Sequence, residues 1–179
     1  MRVENRFSYS EQKFAPVRDP ARAVTAAYQN AARGLDTLKE IVLLEFGMPN
    51  TASAIHDLAH AMPPRFDVLG DILHQRHLMQ EYPATPEYTK RPQTLDEVFS
   101  EVIDMLEKIE TALVAFIRAC DGIGLYPLAR QAENMQIENS RSYEKILYAW
   151  AMYDEAESSP TSYDNWIMHL FDEQEAEDD

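Results

Sequence analysis

Residues 55–77 read IHDLAHAMPPRFDVLGDILHQRH and hold four of the chain's five histidines together with three aspartates. Laid on a helix at about 100° per residue, Ile55, Leu58, Met62, Phe66, Leu69 and Leu73 form an apolar stripe. His56, His60, Asp67, Asp71 and His74 form a second stripe, roughly 60° wide and centred about 140° from the first. The segment therefore predicts a helix with a core face and a separate polar face. Imidazole nitrogen and carboxylate oxygen are donor types that suit Fe, Mn or Zn, and helical steps of three, four, seven and eleven residues let them converge. The same groups on the flank of a helix are also ordinary solvated side chains, so this stretch alone does not separate ligand from surface. Met62-Pro63-Pro64 interrupts the pattern, because proline inside a helix removes a donor and costs about 3 kcal/mol. A kink, or two helices in sequence, is the expectation there.

Outward from this stretch the periodic segments are helical, and no strand pattern occurs. Residues 1–19 read as an irregular N-terminal arm with Arg2, Arg6, Lys13 and Arg18 set against Glu4, Glu11 and Asp19. Asp19-Pro20 has the form of a helix cap followed by proline at the first helical position. Val24, Ala27, Tyr28, Ala31, Leu35, Leu38 and Val42 then recur at steps of three and four until Gly47 and Pro49 stop the helix near Phe46. Asn50 or Thr51 is the expected cap of the next helix, the one carrying the histidines.

After it, Glu81 to Gln93, with Pro83, Pro86 and Pro92, is a connection long enough to cross a bundle from end to end. Thr94-Leu95-Asp96-Glu97 is a capping box. It opens a third helix whose seam is Leu95, Phe99, Val102, Leu106, Ile109, Leu113, Phe116 and Cys120, with Glu101, Asp104 and Glu107 on a solvated face. Gly122 and Gly124 end it, and Pro127 starts a fourth helix reaching about Asp154, with the polar Asn139 and Ser142 in mid-seam. A short amphipathic piece holding Tyr163, Trp166, Ile167, Leu170 and Phe171 precedes the acidic tail DEQEAEDD. The expected organisation is an arm at 1–19, a four-helix bundle at 20–156, and a short helix and tail at 157–179. With the long connection second in order, the bundle is all-α, up-down-down-up and of the ferritin-like kind.

The chain has 179 residues, enough for one domain with a proper core. Its single cysteine, Cys120, excludes an internal disulfide and falls in an apolar helical pattern, which predicts a buried thiol and not a nucleophile. No apolar run approaches the length of a membrane span, so no membrane partner and a cytoplasmic location are expected. With 31 acidic against 16 basic residues the formal charge is −15, which repels nucleic acid and attracts cations.

His56 is followed fifteen residues later by Asp71, and Asp71-Ile72-Leu73-His74-Gln75-Arg76 resembles the Asp-x-x-x-Glu-Arg signature of the Dps miniferritins, which also place a histidine fifteen residues before that aspartate. Ser53-Ala54-Ile55-His56-Asp57 resembles the segment around that histidine, and Gly47 sits in the preceding turn. Asp121-Gly122, followed by Glu144-Lys145-Ile146-Leu147-Tyr148-Ala149-Trp150, resembles the start and middle of the family's last helix.

The resemblance covers about residues 24–155. It implies a hollow dodecamer in which two histidines of one subunit, with an aspartate and a glutamate of its twofold mate, bind and oxidise ferrous iron. His56 matches the second histidine and Asp71 the aspartate. The first histidine's position is Leu44, with Glu45 beside it, and the glutamate's position is Gln75. His60, Asp67 and His74 share the polar face and could build a shifted site.

Two expectations follow from different classes. The first is a Dps-like homo-oligomer that binds, oxidises and stores iron and so protects against oxidative stress, with His56, Asp71, His60, Asp67, His74 and Gln75 as candidate metal residues. The second is a ferritin-like structural or binding shell without ferroxidase activity. DNA is not an expected partner, because counterion release needs clustered Lys and Arg, and only the arm offers any.

Overall fold

The computed structural model describes residues 3–76, 78–155 and 159–172, and among these every regular element is helical. Helix α1 spans Val3–Ile41 and ends in a single π-helical turn, Val42–Phe46; α2 spans Pro49–His74, α3 Leu95–Gly122, α4 Tyr126–Glu155 and α5 Pro160–Asp172. His77 and the tail beyond Asp172 lie outside the described residues.

The directions of the helices follow from their side-chain bonds. Across α3 and α4, Trp150 Nε1 donates to Asp96 Oδ1 at 2.7 Å, Tyr143 Oη to Glu107 at 3.1 Å, and Asn139 Nδ2 to the Leu106 carbonyl at 3.0 Å, so these two helices run antiparallel. A tight turn at Gly47 (φ 66°) makes α1 and α2 an antiparallel hairpin. Between the hairpins, the connection from 75 to 94 follows α1. Gln80 Nε2 donates to Thr25 Oγ1, the Thr85 carbonyl accepts from Arg33, and Tyr88 packs near Gly34. The chain therefore travels the length of the bundle before α3 begins, and α3 runs parallel to α2. This is the up-down-down-up arrangement that the long connection predicts.

Gln80 anchors that crossing. Only 5% exposed, it donates to the Phe66 carbonyl at 3.0 Å and accepts from Tyr82 Oη at 2.8 Å. It lies so close over α2 that a Cβ on Gly70 would stand 2.2 Å from its Oε1. Thr94 caps α3 by accepting from the Glu97 N–H, and Glu97 returns a bond to the Gln93 N–H at 2.6 Å. One core joins the four helices, with Tyr28, Leu35, Met62, Leu69, Phe99, Leu106, Leu113 and Ala132 all essentially inaccessible.

Two expectations are corrected, and of the two alternatives at Met62-Pro63-Pro64 the divided helix is ruled out. The irregular arm over 1–19 is absent, because α1 is already helical from Val3 and does not start at Pro20. Phe14, Val17, Ala21 and Val24 are all buried at steps of three and four, which continues the core stripe backwards, and Pro16 and Pro20 lie off it. Met62-Pro63-Pro64 does not divide the second helix: α2 is one element, with Met62 in the core and both prolines exposed. Its start is not capped by Asn50 or Thr51. The Asp164 carboxylate of α5 accepts from the Thr51 N–H and Thr51 Oγ1, both at 2.8 Å, and from the Asn50 N–H at 3.2 Å. A charged acceptor brought in from elsewhere in the chain outcompetes a local neutral one at the positive end of the helix.

Candidate metal centre

The hairpin register decides what the polar face of α2 meets. Folded about Gly47, it sets Asp36 of α1 opposite the turn that carries His56 and His60. One donor atom from each of Asp36, His56 and His60 lies within 4.8 Å of the others. His56 and His60 are one turn apart on α2, their rings edge to face with centroids 4.2 Å apart. Asp36 Oδ1 stands 3.5 Å from His56 Nδ1, a buried nitrogen that no described group engages in a hydrogen bond. Two donors each about 2.1 Å from a tetrahedral ion stand roughly 3.4 Å apart. The spacing suits a shared cation better than a direct bond.

These residues line an open groove of about 520 Å³ between the two helices. The π turn at the end of α1 adds a residue to the local winding and brings Leu44 and Glu45 into the groove wall, Leu44 with 76% of its surface exposed. Arg33, Lys39 and Arg91 line it too, together with Asp36, Glu40 and Glu45. Two of the cations already have partners: Arg33 donates to the Thr85 carbonyl, and Lys39 pairs with Glu40 of the same groove at 2.7 Å, a hydrogen bond that raises the lysine's pKa.

The six sequence candidates separate. His56 and His60 share the groove. Asp71 and Gln75 lie at the other end of α2 and line a smaller cleft of about 270 Å³ against Pro127 and Gln131 of α4. Asp67 and His74 are exposed, and neither joins the Asp36 cluster. Because α2 is continuous, His56 and Asp71 remain about 22 Å apart along its axis. Sequence reading missed Asp36. Its signal was the register itself: eleven positions before Gly47, it falls opposite a helical turn nine to thirteen positions after it.

The interior of the bundle has a different donor set. Tyr28, Arg65, Glu110 and Asn139 come one from each helix, and Arg65 Nη2 donates to Ser142 Oγ at 3.0 Å. A metal bundle loaded within one subunit needs an inward Glu on each of two helices and Glu-x-x-His on each of the others. These residues do not fit that pattern.

No protein-family model and no curated sequence matches this chain. Solved structures do. M. penetrans ferritin is similar at a TM-score of 0.77 and 12% identity, over 85% of this chain and 93% of that one. Two variants of PmFTN soaked in iron overnight are similar at TM-scores of 0.77 and 0.76 and 10% identity, over 84% of this chain and 97% and 96% of theirs. The fold is ferritin-like. Within that ferritin-like frame α5 is the short C-terminal helix, and it seats Asp164 at the start of the helix that carries the groove histidines. No described helix is long and apolar enough to cross a membrane.

Proposed function

We propose that this chain is an iron-binding subunit of a hollow homo-oligomer, with Asp36, His56 and His60 as the iron ligands of each subunit. The observation that carries the reading is the convergence of one carboxylate and two imidazoles from two helices, with His56 Nδ1 buried beside Asp36 and without a hydrogen-bond partner among the described residues. The ferritin-like fold and the iron-soaked neighbours support iron as the cargo. So does the formal charge of −15.

In this reading Asp71 and Gln75 serve only from a twofold-related copy, since within one chain they lie at the far end of α2. A Dps-like dodecamer, oxidation of the iron and protection against oxidative stress are the finer form of the proposal. The alternative, a ferritin-like shell without ferroxidase activity, draws on Leu44 and Gln75 standing where the resembling family has stronger ligands. Mass measurement of the assembly, with ferrous titration of the parent and of His56→Ala, tests both. The proposal expects a closed oligomer that takes up iron through His56. A monomer that binds none overturns it.

A further inference from the structure

The centre of the bundle gathers one polar group from each of its four helices at a single level. The α1–α2 hairpin sets Tyr28 opposite Phe66, next to Arg65. Gly34 facing Met105 across α1 and α3 sets Tyr28 opposite the turn that holds Glu110. Across α3 and α4, Gln136 Nε2 donates to Glu110 Oε1, one turn from the bond between Asn139 and the Leu106 carbonyl. Tyr28 and Asn139 are respectively 0% and 1% exposed. Tyr28 Oη, Arg65 Nη1, Glu110 Oε2 and Asn139 Oδ1 are all buried atoms without a hydrogen-bond partner among the described residues. Their mutual field is felt at the phenol. Burial raises the Tyr28 pKa to about 12, Arg65 pulls it down, and Glu110 and Glu138 push it up.

We propose that the guanidinium of Arg65 takes the place of a metal cation at the bundle centre, balancing Glu110 among Tyr28, Asn139 and Ser142 and closing the interior to metal ions. A guanidinium stays charged at any ordinary pH and offers only donors, so it supplies no ligand and repels a divalent ion placed beside it. The other groups are a phenol, an amide and a hydroxyl, with Glu110 the single half-buried carboxylate among them; Glu138, also near the phenol, is exposed and paired with Arg141 at 2.8 Å. Tyr28 Oη and the arginine can share Glu110 Oε2 and Asn139 Oδ1 through enclosed water, which satisfies donors and acceptors together. Metal binding is thereby confined to the outside of the bundle. The inference stands on the interior residues alone and does not depend on the groove.

The test uses the full chain with the groove ligands removed, as Asp36→Ala with His56→Ala and His60→Ala. Cobalt(II) binding is measured by dialysis and by the visible spectrum, with and without Glu110→Gln. No cobalt ion dependent on Glu110 is expected. In the same background Arg65→Gln should lower the melting temperature by about 5 °C, because the half-buried Glu110 loses its neighbouring cation, and Arg65→Lys should keep most of the stability. A bound cobalt ion that disappears on Glu110→Gln overturns the proposal, as does an Arg65→Gln protein that melts with its parent. If Arg65→Gln does not fold, the loss is in the expected direction, and cobalt binding by the folded Arg65 protein still decides.

Discussion

Asp36 Oδ1 and His56 Nδ1 face each other at 3.5 Å across the α1–α2 groove, from positions twenty residues apart in the chain. Neither helix could present this pair alone, and His60 completes it from one turn further along α2. Removing any one of the three should weaken cobalt or ferrous binding by about 10–100-fold or more, the lower bound being what outer-shell partners already give. Isothermal titration of Asp36→Ala, His56→Ala and His60→Ala checks this, and three variants that bind like the parent would place the site elsewhere.

Leu44 lines the same groove with most of its side chain in solvent. A nitrogen there adds a donor without displacing anything buried. Leu44→His should therefore tighten metal binding by about 10-fold or more, since each added ligand replaces a water on the ion. Unchanged affinity would show that position 44 does not reach the Asp36 cluster.

Asp164 is 6% exposed and accepts three hydrogen bonds at the start of α2. Asp164→Ala strands two amides and the Thr51 hydroxyl, and it should cost about 2–3 kcal/mol by denaturant titration, with Asp164→Asn intermediate. It should weaken metal binding as well, because His56 lies little more than a turn beyond Thr51. A stability unchanged by Asp164→Ala would show that α5 contributes no cap.

Alkali should destabilise the fold before it denatures it outright. Burial raises the Tyr28 pKa from 10.0 to about 12, and burial, then Asp121, raises that of the Cys120 thiol from 9.0 to about 12. Each group holds its proton more tightly folded than unfolded, so stability is full below pH 9 and falls between about pH 9 and 12. Tyr28 alone accounts for about 2–3 kcal/mol of that loss. Urea midpoints measured from pH 8 upward check the direction; a midpoint that rises through this window would contradict it.

Gly70→Ala tests the crossing segment. Its Cβ would meet Gln80 Oε1 at 2.2 Å, and Gln80 is held by Thr25, the Phe66 carbonyl and Tyr82. The glutamine must leave its bonds, at about 1–3 kcal/mol, although alanine is otherwise the better helix former. A more stable Gly70→Ala protein would show that Gln80 can move without loss.

The features legible in the sequence were those written locally. The α3 seam, the Thr94 box and the stop at Gly47 each depend on residues within a turn or two of one another, and the spacing of prolines from 83 to 92 announced the crossing. The unread features depend on distant residues meeting. Asp36 becomes a candidate only once the hairpin register is known. Asp164 caps a helix 113 positions upstream, and nothing around Thr51 reveals it. Phe14 and Val17 had no visible partners, so a helix with two prolines looked like an arm. Within one chain the polar stripe on α2 divides by distance along the helix: His56 and His60 reach Asp36, while Asp67, Asp71 and His74 lie beyond it.

The dependence of α2 on Asp164 also has an order in time. At roughly 5–20 residues per second, the 113 positions between Thr51 and Asp164 take a ribosome about 6–23 seconds to traverse. Throughout that interval the first amides of α2 lack their carboxylate, while α1, α3 and α4 are already being laid down around them. The groove end of the molecule is completed only once Asp164 has emerged, so a chain truncated or stalled before it leaves open the turn that leads into His56.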